Sequence, residues 1–578
     1  MMPHDFLEHL RELLESERDV NLINHRLQRK TGLRNFFECS RSIDEFLQFI
    51  KEFQSVTEKA KDLGDFQTPS NLTDKICKYL VRIGFIPDTL IEPTCGTGNF
   101  IFSALKYFPS LKYIYCIELQ KIYEWVFKLN LLQFAHKQPL DVKIEFHRDN
   151  IFIHHFSPEF LHFLNHATRK LLVIGNPPWI TNTELSMLES QNVPLKSNIK
   201  HDKGIEAITG KGNFDIAEYI ILRMIQKFSN HAGKIAMLCK TSVIKNIVKN
   251  LRRLNLKLTN IKSILIDAKK EFNINAEAAL FLADLNGNNQ KFCTISTLEM
   301  PEKSLQTFGW VNGKFVSDIS LYKKYMYIEG KSPYIWRQGI KHDASKVMVL
   351  LKNNGFLLNG FNKTVSIEED LLYPFLKSSD LKSKVIKETN RWVIITQHSL
   401  KEKTHYIASS YPKTWNYLIS YSQLLDTRKS VIYKNRPRFS IFGIGEYAFK
   451  PYKVAISGFY KHPQFSLIFP IDNKPTMLDD TCYYLYFDTF QDAFFTWLLL
   501  SCDETHNFLS SIVFFDSKRP YTKEILMRID LGKLLKLQAF ETYFNFYQNH
   551  LKQYIEFQFS EKDFKSYSNK ILNSISSN

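Results

Sequence analysis

This sequence predicts an α/β protein: a doubly wound, mostly parallel sheet with an antiparallel edge, a short helical segment before it and a second, mixed α/β domain after it. Three observations carry that expectation. From residue 61 to about 305, short apolar runs alternate with helical patterns, the rhythm of a parallel sheet covered on both faces. Beyond about 305 this gives way to short aromatic and basic strand-like runs joined by long loops. The chain, at 578 residues, is also longer than one hydrophobic core usually serves.

The elements follow in order. Residues 1–60 read as helices: Phe6, Leu10, Leu13 and Leu14 share one face, and a second helix opens where Ser42 and Glu45 have capping-box spacing. Ile43, Phe46, Leu47, Ile50 and Phe53 continue it at helical intervals. Such a segment is too short for a nuclease domain, which needs roughly 100 residues or more. Within 61–305 come "TLIEP", a helix after Gly98, "YIYCIEL", a helix near 121–135, "VKIEF", a helix near 157–166 and "KLLVIG". A polar loop at 183–213 leads to the helix "DIAEYIILRMIQKF", then to the strands "KIAMLCK", "IKSILID" and "AALFLADL", the last two an antiparallel pair at the sheet edge. Residues 306–530 form the second domain, and 531–578, opening "LGKLLKLQAFETYFNFYQNHLKQYIEFQF", read as helical again.

Composition narrows the function. The hydrophobic fraction of 44% and the aromatic fraction of 14% exclude a disordered chain. A net charge of +17 points to a large anionic partner, unless it reflects a basic proteome. Nucleic acid ranks ahead of a membrane, because no lipid-binding helix is evident and no window nears the ~20 apolar residues of a membrane span. The start, "MMPHDFLEHLRELLESERD", lacks the apolar core of a signal peptide, so a cytoplasmic protein is expected. The eight cysteines form no CxxC pair or Cys/His cluster, which predicts reduced thiols and no metal site.

"LIEPTCGTGNF" (90–100) puts Glu92 at a strand end, then a glycine turn, then a helix. Gly96 and Gly98 let backbone approach a nucleotide-like ligand closely, although a plain tight turn has the same signature. Neither a P-loop lysine nor a full GxGxxG is present, so phosphate cradling is disfavoured. Glu118 ends the next strand, where a carboxylate can accept both hydroxyls of a ribose, and Asp149 follows the third. Three acids at successive strand ends mark one ligand-binding edge.

Asn176, Pro177, Pro178 and Trp179 follow the fourth strand on that edge. The Asn176 oxygen can accept a hydrogen bond, and the prolines fix φ and hold the Pro177 carbonyl at a set angle. Two converging acceptors suit an exocyclic amino group whose lone pair must face an electrophile, and Trp179 offers a flat surface to a base. The competing reading is a proline-rich turn closed by a core tryptophan.

"NPPW" resembles the N-P-P-aromatic motif of amino-methyltransferases that use S-adenosylmethionine, and "EPTCGTGNF" resembles their cofactor motif. "GDFQTPSNLTDKICKYL" (64–80) is similar to the F-x-T-P segment of N6-adenine DNA methyltransferases of the gamma arrangement. The order of motifs matches as well, strongly over 64–181 and only in general character beyond about 310. The resemblance implies a Rossmann-like class I S-adenosylmethionine-dependent methyltransferase domain followed by a target-recognition domain. It implies that Phe66, Thr68 and Pro69 line the cofactor pocket and that Glu92, Thr94, Gly96 and Gly98 hold the cofactor's amino-acid end. Glu118 would then bind its ribose, Asp149 with Ile151 or Phe152 would face its adenine, and Asn176, Pro177, Pro178 and Trp179 would hold the target base. Phe214 would lie near the site. Phe281 is a candidate for the second face of the base, against a plain core role. Asparagine at the head of the tetrapeptide favours adenine N6 over cytosine N4, and the absence of a Pro-Cys dipeptide disfavours cytosine C5 chemistry. A duplex buries the amino group, so the target adenine has to leave the stack.

The second half has to choose the sequence. Basic and aromatic residues cluster at 336–343, 428–439, 449–454 and 514–522, giving Arg337, Lys341, Arg436, Arg438, Lys518 and Arg519 as candidate contacts to double-stranded DNA, each of which also reads as a solvated surface cation. "LLYPFLKSSDL" resembles a recurring segment of recognition domains, with Pro374, Phe375 and Leu376 building structure. The expectation is a site-specific adenine DNA methyltransferase of a restriction-modification system, with any restriction endonuclease a separate chain. Two other readings stand beside it. A methyltransferase of RNA or protein would label those instead of DNA, and a DNA-binding defence subunit would keep the fold without turnover.

Overall fold

The computed structural model describes residues 11–12, 14–59, 67–137, 139–166, 169–180, 215–288, 290–353 and 355–576. Expectations that fall on Phe6, Leu10, Leu13, Phe66, the loop 183–213 and Phe214 lie outside the described residues. The chain divides into two compact units, Met1–Phe315 and Val316–Asn578.

The first unit is built on a sheet of β1 (Thr89–Glu92), β2 (Tyr113–Glu118), β3 (Lys143–Arg148), β4 (Leu171–Gly175), β5 (Gly233–Lys240), β6 (Leu258–Ile266), β7 (Ala278–Leu285), β8 (Phe292–Thr297), β9 (Gln306–Val311) and β10 (Lys314–Val316). Their spatial order is β10-β9-β8-β6-β7-β5-β4-β1-β2-β3. β3, β2, β1, β4 and β5 run parallel, and every residue of β1, β2 and β4 is buried. That is why these segments read as unbroken apolar runs rather than as alternation. β7 enters antiparallel between β5 and β6, as the paired apolar runs predicted. They are not the sheet's last strands, however: β8 pairs with β6 and β9 with β8, so the residues just past the pattern change near 305 extend this same sheet.

The helical segment at the N-terminus joins the same core. Helix Val20–Thr31 ends on Gly32 in the left-handed region (φ 73°), where a side chain would collide with the Val142 carbonyl. The close approach lets Leu33 bridge to Ile144 of β3: Ile144 N–H donates to Gly32 O (2.9 Å) and Arg34 N–H to Ile144 O (3.2 Å). Phe36, Phe37 and Phe46 then pack edge to face, with Trp125 on Phe46. Lys128, buried on helix Lys121–Lys137, donates to Phe36 O and to the Glu124 carboxylate, both at 2.6 Å. Burial pulls its pKa down and Glu124 opposes that pull.

The second unit holds two sheets. In one, β11 (Arg337–Gln338), β21 (Cys482–Phe487), β18 (Tyr452–Ser457), β19 (Phe465–Ile468) and β16 (Val385–Ile386) are neighbours in that order. In the other the order is β14 (Thr364–Val365), β13 (Phe356–Leu358), β12 (Val349–Asn353), β17 (Arg391–Ile394), β15 (Leu372–Leu376) and β20 (Met477–Leu478). Pro374, Phe375 and Leu376 lie in β15 and are buried, a structural role as expected. The C-terminal segment departs from a continuous helix. Helices Leu531–Leu537 and Phe540–Phe546 and a π turn at Tyr547–Leu551 are followed by extended chain before helix Glu561–Ser576. In that extended stretch Ile555, Phe557 and Phe559 alternate inward, and the two phenylalanines pack on Phe494, so period-two packing overrides helical propensity.

Lys128→Ala should lower stability by about 3 kcal/mol, because it removes the close partner of a buried carboxylate and leaves it only Arg148 at 3.8 Å. Denaturant unfolding checks the magnitude, and faster amide exchange over residues 20–50 checks that the pin to Phe36 is what was lost.

Candidate active site

Parallel pairing of β3, β2, β1 and β4 sets their carboxyl ends side by side, so Asp149, Glu118, Glu92 and Asn176 follow one another along one edge. Neighbouring strands are about 4.8 Å apart, so the row spans roughly 15 Å. The turn after β1 is tied to this edge. Cys95 N–H donates to Ile117 O at 2.8 Å, and Gly96 N–H donates to Glu118 Oε2 at 2.8 Å. Gly96 (φ 54°) and Gly98 (φ 85°) both occupy the left-handed region, and a side chain at Gly98 would strike the Phe127 ring. Gln67, which the sequence reading did not single out, closes the turn from outside: its Oε1 accepts from Thr97 N–H and Thr97 Oγ1, both at 3.0 Å. Asn99 Nδ2 donates to Thr68 O at 2.7 Å, and Pro69 caps helix Ser70–Arg82.

The acids differ in state. Burial pushes the Glu92 carboxyl well above the usual carboxylate range, helped by Cys116 and Glu118 and opposed by a hydrogen bond from Cys95. Glu92 Oε2 and Thr94 Oγ1 are buried with no hydrogen-bond partner among the described residues. Both Glu118 oxygens accept backbone donors, Gly96 N–H and Gln120 N–H, each at 2.8 Å. Asp149 is partly exposed. Its burial is outweighed by hydrogen bonds from His154 Nδ1 (2.7 Å) and Asn150 N–H (2.7 Å), which hold its pKa below the ordinary value. His154, whose pKa is lowered by burial, meets the Tyr115 hydroxyl at 2.9 Å through Nε2. Ile151 is buried, while Leu119, next to Glu118, is 46% exposed and had not been singled out from sequence.

The Asn176–Trp179 segment leaves β4 beside the glycine turn. At Gly175 an added Cβ would meet Glu92 Cγ and Pro93 Cδ at 3.6 Å. Asn176 is half-buried, Pro177 buried, Pro178 exposed and Trp179 half-buried, so the indole is not sealed in the interior. Its Nε1–H donates to Leu238 O at 3.4 Å, and its ring meets Phe272 edge to face, centroids 5.4 Å apart at 70°. Phe281 is fully buried on β7, a core residue. The aromatic seen against Trp179 is Phe272, a lone phenylalanine that ends the short helix Ala268–Phe272 after β6 and is itself buried in the core on which Trp179 packs.

In the second unit four of the candidate cations, Arg337, Lys341, Arg436 and Arg519, are linked through shared neighbours. Gln338 Nε2 and Arg519 Nη1 both donate to Asp480 O, at 2.6 and 3.1 Å, and Lys341 forms a bridge with Phe442, over which Arg436 lies. Arg337 stacks over Tyr447, 4.5 Å from the ring centre, and Lys341 lies 3.5 Å from Asp343. Arg438 forks onto Asp426 (2.6 Å) and Arg519 reaches Asp480 (3.4 Å), whereas Arg436 and Lys518 are exposed. Arg428, inside the same basic run, is scaffold: it stacks on Tyr433 and donates to the carbonyls of Leu425, His342 and Ser440.

A sheet in the order β3-β2-β1-β4-β5-β7-β6, with acids and a glycine turn on its carboxyl edge, is a Rossmann-like methyltransferase fold. The family model for N-6 DNA methylases matches residues 44–296. The type II methyltransferase M.NspV of Nostoc sp. is 40% identical over 485 residues, 83% of this chain and 98% of that protein. Among solved structures, that of the type IIL restriction-modification enzyme MmeI in complex with DNA aligns with 92% of this chain and 75% of its own at 12% identity, TM-score 0.48. The type IIG restriction endonuclease BpuSI aligns over 92% and 69% at 12% identity, TM-score 0.33. The chain belongs to the N-6 DNA methylase family, as a DNA methyltransferase of the restriction-modification type. Among the described residues no helix is long and apolar enough to cross a membrane, and no group of three or more His, Cys, Asp or Glu could hold a metal ion.

Because its pKa is raised in the fold, Glu92 contributes stability while protonated: the contribution is whole below the ordinary value of 4.5 and is lost as pH rises through the raised one. The ligand-free Glu92→Gln variant should therefore keep its melting temperature better than wild type toward alkaline pH. Melting curves that fall in parallel would refute this.

Proposed function

We propose that this chain methylates the N6 amino group of a target adenine in double-stranded DNA, with S-adenosylmethionine as methyl donor and with the adenine turned out of the helix. The observation that carries the reading is the adjacency of the acceptor tetrapeptide to the acid series: β1 and β4 are hydrogen-bonded neighbours, and Gly175 lies against Glu92 and Pro93. The residues present suit the cofactor. The buried, partnerless Glu92 Oε2 and Thr94 Oγ1 flank a turn whose glycines adopt the left-handed conformation, and they offer polar atoms for a ligand to satisfy.

Glu92, Thr94, Gly96 and Gly98 would hold the cofactor's amino-acid end, Glu118 its ribose hydroxyls, and Asp149 its adenine amine, with Ile151 and the exposed Leu119 on the apolar faces of that base. Thr68 and Pro69, with Gln67, form the wall over the glycine turn. S-adenosylmethionine, when bound, supplies an electrophilic methyl group on sulfur. The chain's part is orientation: Asn176 Oδ1 and the Pro177 carbonyl accept the two N–H bonds of the target amine, which leaves its lone pair directed at the cofactor side. Trp179 stacks on the base, and Phe272 forms the second wall of the corner. No metal or covalent enzyme intermediate is required.

In the second unit, Arg337, Lys341, Arg436, Arg438, Lys518 and Arg519 are proposed to meet DNA. The exposed Arg436 and Lys518 are the simplest phosphate contacts, and the acid-paired Arg438 and Arg519 would have to exchange carboxylate for nucleic acid. A restriction endonuclease would be a separate partner chain.

With a labelled methyl donor, the purified protein should label unmethylated duplex DNA as N6-methyladenine; label found only in RNA or protein would refute the reading. Asn176→Ala should lose about 100-fold or more in transfer rate while calorimetry still detects cofactor binding. Arg436→Ala should weaken DNA binding and reduce its salt dependence by about one counterion, and an unchanged slope would remove it from the phosphate contacts.

A further inference from the structure

The Asn176–Trp179 segment has a structural problem that its own residues leave open. Two prolines fix its direction but donate nothing, so the position of the indole depends on how the far end of the segment is held. That end is held by β5. β4 and β5 run parallel with Gly175 opposite Met237, so the residues after Met237 extend alongside the tetrapeptide. Leu238 O receives the indole N–H at 3.4 Å, and Lys240 Nζ donates to the Trp179 carbonyl at 2.9 Å. The same ammonium bonds Asp215 Oδ2 at 3.0 Å. Asp215 is itself fixed, since its side chain caps helix Ile216–Phe228 through Ala217 N–H at 3.0 Å, while Ile216 N–H donates to Ile180 O at 3.0 Å. Lys240 thus ties the residue that ends the tetrapeptide to the start of the next helix, with Asp215 buried and Lys240 half-buried.

Resting on the reading that Trp179 stacks the target base, we propose that Lys240 is a positioning residue for methyl transfer: it holds the Trp179 backbone so that the indole stands at the right place and angle for the extruded adenine. It does not reach the reacting atoms itself. Displacing a positioned group by about 1 Å can cost a hundredfold in rate. If Lys240 only stabilised the fold through Asp215, its removal would lower the melting temperature and slow transfer to the same degree whether or not the indole is present.

The comparison uses the full chain, labelled S-adenosylmethionine and unmethylated duplex DNA in single turnover. Lys240→Met should lower the transfer rate about 10- to 100-fold, leave the KM for S-adenosylmethionine within about threefold, and be largely restored in Lys240→Arg, which keeps a cation able to reach both acceptors. In a Trp179→Ala background, Lys240→Met should cost less than about threefold, because the group it positions is gone. A wild-type rate in Lys240→Met, or the same loss with and without the indole, overturns the proposal. Should Lys240→Met fail to fold, Lys240→Gln carries the comparison, and a wild-type rate in that variant also overturns it. Transfer that survives Asn176→Ala would refute the site itself, whereas an inactive Asn176→Ala beside a fully active Lys240→Met refutes only the role of Lys240.

Discussion

The parallel pairing of β1 with β2 on one side and β4 on the other is the constraint that sets the rest of the site, because strands that run the same way finish on the same edge. With β3 added outside β2, four polar side chains from distant parts of the chain line up there without any loop having to reach for them. The ladder's hydrogen bonds and the fully buried faces of β1, β2 and β4 fix their spacing. Loops then refine what the sheet has set: the turn after β1 hangs on Glu118, and Gln67 closes over it.

Stiffness and chemistry are combined differently in the two halves of the edge. On the glycine side, missing side chains let Gln67 and Phe127 pack directly on the turn, and Glu92 remains buried with its pKa raised, which costs the fold something at high pH. On the tetrapeptide side, rigidity comes from residues that cannot donate, so holding it falls to the neighbouring strand. The first half suits a ligand that brings its own charge and hydrogen-bond donors. The second suits a group whose geometry matters more than its affinity.

Much of this was legible in the sequence because it depended on residue type at fixed offsets. Glu92, Glu118, Asp149 and Asn176 each follow an apolar run, and parallel strands make such positions neighbours. The features that stayed hidden depended on partners far apart in sequence. Nothing in "GDFQTPS" says that Gln67 rather than a neighbour caps Thr97, and nothing in "EFNIN" says that Phe272 turns toward an indole 93 residues earlier. Phe281 drew notice as an aromatic on the right strand pair, but the face of a buried strand to which a side chain points is set by register, and here it points into the core. The reach of the first sheet past residue 305 was hidden because β9 and β10 are short and share the aromatic composition of the second unit.

The Gly32–Arg34 backbone, lying along β3, has a consequence for the molecule's behaviour in a crowded solution. β3 is the last strand on its side of the sheet, and a bare outer strand presents a row of unpaired amides and carbonyls on which another chain can template. Leu33 occupies part of that row, and the phenylalanines just after it cover the apolar surface alongside. The helices around Leu33 therefore cover that outer strand, and a fragment trimmed to begin at Gln67 would keep the wall over the glycine turn and every residue of the catalytic edge while baring a strand on which other chains can template.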